Sequence, residues 1–291
     1  MTLSRRRFLT ISAAAAAMPA SVTAQQWQGH ALGAEVSLTI NAPADIAALA
    51  LSRARRALAD IEGLFSLYDP HSDLVALNSR GRQVGPDPRF VALLRTAARG
   101  YHATQGLFDP TVQPLWLAQA AGENTDAAAA LIGWDRVHVA NDLIMLGEGQ
   151  ALTLNGIAQG YATDLITDVL ADLGLTDMLV HIGEHRGLGG PWRLGINDPV
   201  HGYMGLRTLT SGAIATSSPT AQTVGAGSHI VHARAVPQWS TVSVEATTAA
   251  MADCLSTALC LAPISLVRDV RQMPEVQRIT LVDFEGNLRS L

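Results

Sequence analysis

The stretch Leu154-Asn155-Gly156-Ile157-Ala158-Gln159-Gly160-Tyr161-Ala162 leaves an apolar, strand-like run and enters a helix through two glycines. Residues 151–154 before it have the composition of a strand, and residues 157–173 after it read as a helix. A junction of this kind lets backbone N–H groups and the positive end of the helix approach a phosphate closely. A strand-to-helix turn through glycine is also ordinary architecture, so its meaning depends on what surrounds it.

Working outward, residues 137–139 and 143–145 read as strands that form a meander with residues 151–154. Further upstream, residues 34–40 alternate like a half-buried strand, and Asn41-Ala42-Pro43 ends it. Residues 45–65 then form an amphipathic helix with Ile46, Ala50, Ala54, Ala57, Ile61, Leu64 and Phe65 on the inward face. Turns are expected at residues 68–72 and 106–110, with a helix over 90–105 between them. Downstream, strands are expected at residues 178–182, 192–196, 206–209, 214–216, 240–244 and 278–282, with a helix over 248–261. Strands cluster between isolated helices and do not alternate with them, so the expected class is α+β, one mature domain of two closely packed lobes over residues 25–291.

The N-terminus is separate from that domain. Ser4-Arg5-Arg6-Arg7-Phe8-Leu9-Thr10, an apolar run over residues 11–18 and a small-residue close at Val22-Thr23-Ala24 match a twin-arginine secretory signal over residues 1–24. The apolar run falls far short of the ~20 residues a bilayer span needs, so the expectation is a soluble periplasmic protein without a permanent membrane span. All 20 basic residues are arginine, against 25 acidic ones, and no basic stripe offers itself to nucleic acid. Cys254 and Cys260, six apart on one helix, face different ways and read as small buried apolar residues. With no further sulfur ligand, a zinc or iron–sulfur centre is not expected.

Two other stretches carry chemistry. Asp253 and Thr257 lie four apart on one helix face, an oxygen-only pair of the kind Mg²⁺ accepts. An Asp favoured by the helix dipole and a Thr bonded back to a carbonyl would give the same residues without a metal. In Ser228-His229-Ile230-Val231-His232, either histidine has the pKa range of a general base, and either also suits a surface loop.

These stretches occur in an order that resembles the FAD:protein FMN transferases. Residues Thr153 to Asp164 resemble the motif D-L-G-G-I-A-K-G-Y-A-x-D, and Phe65 to Leu74, followed by Leu77-Asn78, resemble M-S-x-Y-x-P-x-S-E-L-x-x-L-N. Phe108-Asp109-Pro110-Thr111-Val112-Gln113-Pro114-Leu115 is similar to F-D-P-T-V-G-P-L. Val180-His181-Ile182-Gly183-Glu184 is similar to V-N-I-G-G, Ala215-Thr216-Ser217 to A-T-S, and residues 252–258 to A-D-x-x-x-T-A. Gly183-Glu184 with Arg186 and the export signal further resembles the subgroup that accompanies nitrous-oxide reductase maturation.

The resemblance implies a Mg²⁺-dependent reaction in which FAD is split at its pyrophosphate. FMN is joined to a Thr or Ser hydroxyl of an acceptor flavoprotein, here of a periplasm-facing respiratory system, and AMP leaves. It implies Asp253, Thr257 and the Gly156 carbonyl as metal ligands, and His229 as the base toward the acceptor hydroxyl. Leu32, Tyr68, Phe108, Asp109, Pro110, Thr153, Gln159 and Ile230 fall at flavin-nucleotide positions. The pattern also breaks: Thr153 stands for Asp, Asn155 for Gly, Gln159 for Lys, and His232-Ala233-Arg234-Ala235-Val236 for D-P-R-T-G. Those breaks leave a second reading open, a flavin-binding maturation chaperone with little or no transferase activity.

Overall fold

The computed structural model describes residues 24–291. The expected export signal lies outside the described residues except for Ala24, which opens the first strand.

The chain begins with a hairpin of β1 (Ala24–Ala31) and β2 (Ala34–Asn41), then α1 (Ala44–Phe65) and α2 (Asp73–Arg80). β3 (Arg82–Val84), α3 (Pro88–Ala103), α4 (Gln113–Ala121), α5 (Asp126–Ala129), β4 (His138–Val139) and β5 (Leu143–Met145) follow. The long helix α6 (Ala158–Ala171) leads into β6 (Met178–Ile182), β7 (Glu184–Leu188), β8 (Trp192–Asp198), β9 (Gly202–Leu209) and β10 (Gly212–Ser217). The last third contains the short pair β11 (Thr223–Val224) and β12 (Gly227–Ser228), then β13 (Thr241–Ala246) and α7 (Ala249–Leu259). It closes with α8 (Ile264–Arg271), β14 (Val276–Val282) and β15 (Leu288–Ser290).

One eight-stranded sheet in the order β1-β2-β6-β7-β10-β13-β14-β15 organises the molecule, and every neighbouring pair is antiparallel. The expected α+β class therefore holds. One face of the sheet is covered by α6, against β6 and β7, and by α7, against β10 and β13. On the other face the β8–β9 hairpin buries Trp192, Leu194 and Leu209 against Leu179 and Ile214.

The two lobes are two apolar cores that share α7. Ala250, Cys254 and Ala258 point into a core built with β2, β6, α1, α3 and α6, whereas Met251, Leu255 and Leu259 point into a core with β13, β14 and α8. A helix apolar all round belongs in the interior. Every residue of α7 is buried except Thr257. Both cysteines are free and buried, as small apolar residues are.

Several sequence expectations need correction. Residues 151–154 are not a strand: Asn78 holds the Leu152 backbone through two hydrogen bonds of 2.8 and 2.7 Å, and the Thr153 amide donates to the Pro110 carbonyl at 2.8 Å. Side-chain and loop partners replace the ladder there, and the third strand of the meander is β3, paired with β5. In α1 the inward stripe is Ala47, Ala50, Ala54, Leu58, Ile61, Leu64 and Phe65. Ile46 and Ala57 lie at its margins, and Ile46 is exposed.

Helices α6 and α7 meet unusually closely. A Cβ at Gly160 would fall 2.6 Å from the Ala249 carbonyl carbon and 2.8 Å from the Ala250 Cα, so only glycine permits the contact. Asp164 of α6 accepts the Ala249 and Ala250 amides at 2.8 and 2.9 Å, and these are two of the donors that the start of α7 leaves without intrahelical partners. Arg186 pairs with Asp164 at 3.0 Å and with the far more exposed Asp168 at 3.1 Å. Asp164→Ala is accordingly expected to destabilise the fold by about 1–3 kcal/mol, through the lost cap and buried ion pair. Asp168→Ala removes a solvent-exposed partner and is expected to cost less than about 1 kcal/mol, both read from urea unfolding midpoints.

Candidate functional site

Asp253 is 3% exposed, and its Oδ2 accepts the Gly160 amide at 3.0 Å. Gly160 lies in the first turn of α6, where N–H groups have no intrahelical acceptor, so a carboxylate from α7 supplies one. One turn further along α7, Thr257 Oγ1 lies 3.3 Å from Ser217 Oγ, which is 2.8 Å from Ser256 Oγ. The turn before α6 presses on the same spot: a Cβ at Gly156 would fall 3.0 Å from Thr257 Oγ1 and 3.4 Å from the Phe108 ring. The structure thus brings Gly156, Thr257 and Phe108 together, and the Pro110 carbonyl holds Thr153 beside them.

A second group adjoins the α6 end of this cluster. Gln159 donates to the Leu32 carbonyl at 3.1 Å, and its side chain packs against Gly183, where φ is 77°. Leu32 itself is at φ 50°, with its amide donating to Glu62 at 3.0 Å. After Gly183 comes Glu184, 8% exposed, whose Oε2 accepts the Thr216 amide at 3.1 Å.

Electrostatically these carboxylates are under strain. Burial pushes the Asp253 carboxyl up to about 7, against the pull of the Gly160 N–H, and Asp164 adds repulsion. Burial, then the charge of Asp253, raises Glu184 well above the ordinary carboxylate range. Among the described residues neither has an ion-pair partner. No group of three or more His, Cys, Asp or Glu side chains is placed to hold a metal among the described residues. The available donors are carboxylate, hydroxyl and carbonyl oxygens, a set that fits a hard cation such as Mg²⁺ when water or phosphate oxygens complete its shell.

The remaining expected residues divide. Asp109 is buried, its Oδ1 accepting from the Thr111 amide and hydroxyl at 2.8 and 2.6 Å and its Oδ2 from the Trp134 amide at 3.3 Å, so it organises the turn that carries Phe108 and Pro110. Tyr68 is 74% exposed at a bend before α2. Ile230 is buried in the core that takes Leu255 and Leu259 of α7. His229 belongs to the loop after β10, which Gln119 clamps through the Val224 and Ser228 carbonyls at 2.8 and 2.9 Å. Its Nδ1 lies 3.0 Å from the Gln222 carbonyl. Burial holds the imidazole below its ordinary pKa, with the Gln222 and Pro219 carbonyls opposing, so the ring is neutral at neutral pH.

Sequence reasoning did not bring Glu184 near Asp253, although a carboxylate where the family pattern has glycine was the available signal. Ser217 carried none beyond its place in the A-T-S element. A 570 Å³ concavity lined by Trp27, Leu51, Arg55 and Arg56 sits between β1 and α1. It contains no acid and is not this cluster, which chemistry locates better than volume does.

The profile of the ApbE family matches residues 32–279. The flavin transferase ApbE from Vibrio cholerae superposes with a TM-score of 0.79 at 22% identity, over 92% of this chain and 97% of that one. The ApbE protein from Thermotoga maritima gives 0.82 at 23% identity, over 92% and 96%. The apo flavinyl transferase ApbE of Pseudomonas stutzeri gives 0.80 at 22%, over 94% and 96%. No curated protein is significantly similar in sequence.

His232 occupies the position where the family pattern has Asp. Its Nδ1 accepts the Arg234 and Ala235 amides at 3.1 and 3.0 Å, as an Asp carboxylate does in an Asx turn. Burial lowers its pKa, the Gly106 carbonyl and Asp109 oppose, and Arg234 assists. A protonated imidazole has no acceptor, so the turn is intact above the ordinary histidine pKa of about 6.5 and is lost as pH falls through the lower folded-state value. Hydrogen exchange at the Arg234 and Ala235 amides should accelerate roughly fivefold between pH 7.5 and 5 after correction for intrinsic rates, the worth of about 1 kcal/mol. In His232→Asp, whose carboxylate still accepts at pH 5, that acceleration should disappear.

Proposed function

This chain belongs to the ApbE family, and we propose that it is a FAD:protein FMN transferase that attaches FMN to a Thr or Ser hydroxyl of a partner protein. The observation that carries the reading is the convergence of Asp253, Thr257, the Gly156 turn and Phe108 at one locus beside the N-terminus of α6. The positive end of a helix dipole beside a cluster of oxygen donors suits a pyrophosphate with its counter-ion.

In this mechanism the acceptor hydroxyl oxygen attacks the FMN-side phosphorus of FAD. A new O–P bond forms, the P–O bond to AMP breaks, and AMP leaves. His229 takes the hydroxyl proton: with its Nδ1 proton directed to the Gln222 carbonyl, Nε2 is the nitrogen that accepts. Asp253, Thr257 and the Gly156 carbonyl would hold a magnesium ion, which would supply positive charge toward the pyrophosphate. Phe108 gives the nucleotide an apolar wall, and the clamp of Gln119 keeps the His229 loop in place.

The altered histidine loop does not favour the chaperone reading, because His232 rebuilds the turn that the missing Asp would have made. The proposal extends to the setting. The signal-like residues 1–24 support delivery to the periplasm by the twin-arginine route, and Gly183-Glu184 with Arg186 supports an acceptor in a respiratory, nitrous-oxide reductase system.

Purified protein incubated with FAD, Mg²⁺ and an acceptor domain should place covalent flavin on the acceptor and release AMP in equal amount. Asp253→Asn keeps an acceptor for the Gly160 amide, so it should unfold like the wild type while the transfer rate falls roughly 100-fold or more. Undiminished AMP release by that variant would contradict the assignment.

A further inference from the structure

We propose that Glu184 is a second carboxylate of the divalent-cation site, facing Asp253 and strengthening its hold on the ion. The inference rests on the transferase reading and deepens it, because the resemblance that supplies Asp253, Thr257 and Gly156 has glycine at this position.

The placement follows from the strand. Side chains alternate along β7, and Arg186 reaches Asp164 on α6, so Glu184, two residues earlier, shares the helix-covered face. His185 points to the other face, where it stacks on His181 with ring centroids 4.1 Å apart. The left-handed Gly183 corner starts the strand beside Gln159, and Glu184 Oε2 is fixed by the Thr216 amide. Thr216 precedes Ser217, whose hydroxyl contacts Thr257. Glu184 therefore approaches the Asp253–Thr257 face of α7 from the sheet side, while Gly156 approaches Thr257 from the turn.

Both carboxylates are more than nine-tenths buried. Arg186, the cation on the same strand face, is engaged by Asp164 and Asp168. Two buried like charges without a counter-ion cannot both remain ionised, and a divalent cation between them removes the conflict.

The test measures metal binding without turnover. Mn²⁺ is titrated into metal-free wild type, Glu184→Gln and Asp253→Asn, with electron paramagnetic resonance reporting free Mn²⁺. Thermal melting at pH 8 is recorded in chelator and in Mg²⁺. Glu184→Gln still offers an amide oxygen to Thr216, so the fold should persist. Its Mn²⁺ affinity should drop about tenfold or more, its melting temperature in chelator should equal or exceed that of the wild type, and its gain on adding Mg²⁺ should be smaller. If Glu184→Gln binds Mn²⁺ as tightly as the wild type while Asp253→Asn does not, the Glu184 inference is overturned and the transferase reading stands. If the wild type itself binds no Mn²⁺, this inference also falls, and the transferase reading is judged by flavin transfer alone.

Discussion

Helices α6 and α7 cap each other. The Gly160 amide at the start of α6 is satisfied by Asp253 of α7, and the Ala249 and Ala250 amides at the start of α7 are satisfied by Asp164 of α6. Each helix leaves donors at its N-terminus that water would otherwise have to satisfy, and here both ends are buried. The exchange works only at very short separation, which the missing Cβ of Gly160 allows. The site therefore depends on this pairing: the turn that carries Gly156, the face that carries Asp253 and Thr257, and the strand end that carries Glu184 are all referred to the same two helices.

That arrangement places one carboxylate between two neighbours. Asp253 Oδ2 is occupied by a structural hydrogen bond, and the side chain still lies beside a second buried acid with no basic partner. Asp253 is the one acid of the buried helix α7, and the hydrogen bond from Gly160 offsets part of the cost of burying it. Thr257, the one residue of α7 not buried, marks where the locus opens.

The fold class was legible because alternation, turn residues and helix-length apolar runs agreed over most of the chain. The long helices and the central strands fall close to where the pattern places them. What the pattern misassigned has local causes. Residues 151–154 have strand composition but obtain their backbone partners from Asn78 and Pro110, which no periodicity reveals. Helices α2, α4 and α8 are two or three turns long, too short for a stripe to separate them from loops. In the site, motif order located Gly156, Asp253 and Thr257 but could not separate residues that face the locus from those that build it. Asp109 and Asn78 turned out to hold backbone, and His232 stands in for a carboxylate by accepting the same amides on its ring nitrogen Nδ1.

The central claim is that the α6–α7 contact is a cation site for phosphate chemistry and not merely a helix joint. Diffraction from crystals grown with Mn²⁺, recorded at the manganese absorption edge, tests it most directly. One anomalous peak is expected, bounded by Asp253, Thr257 and the Gly156 carbonyl at ligand distances of about 2.1 Å, with Glu184 turned toward it. A map with no peak there, and the Asp253 and Glu184 carboxyl groups hydrogen-bonded to each other through a shared proton, would contradict it.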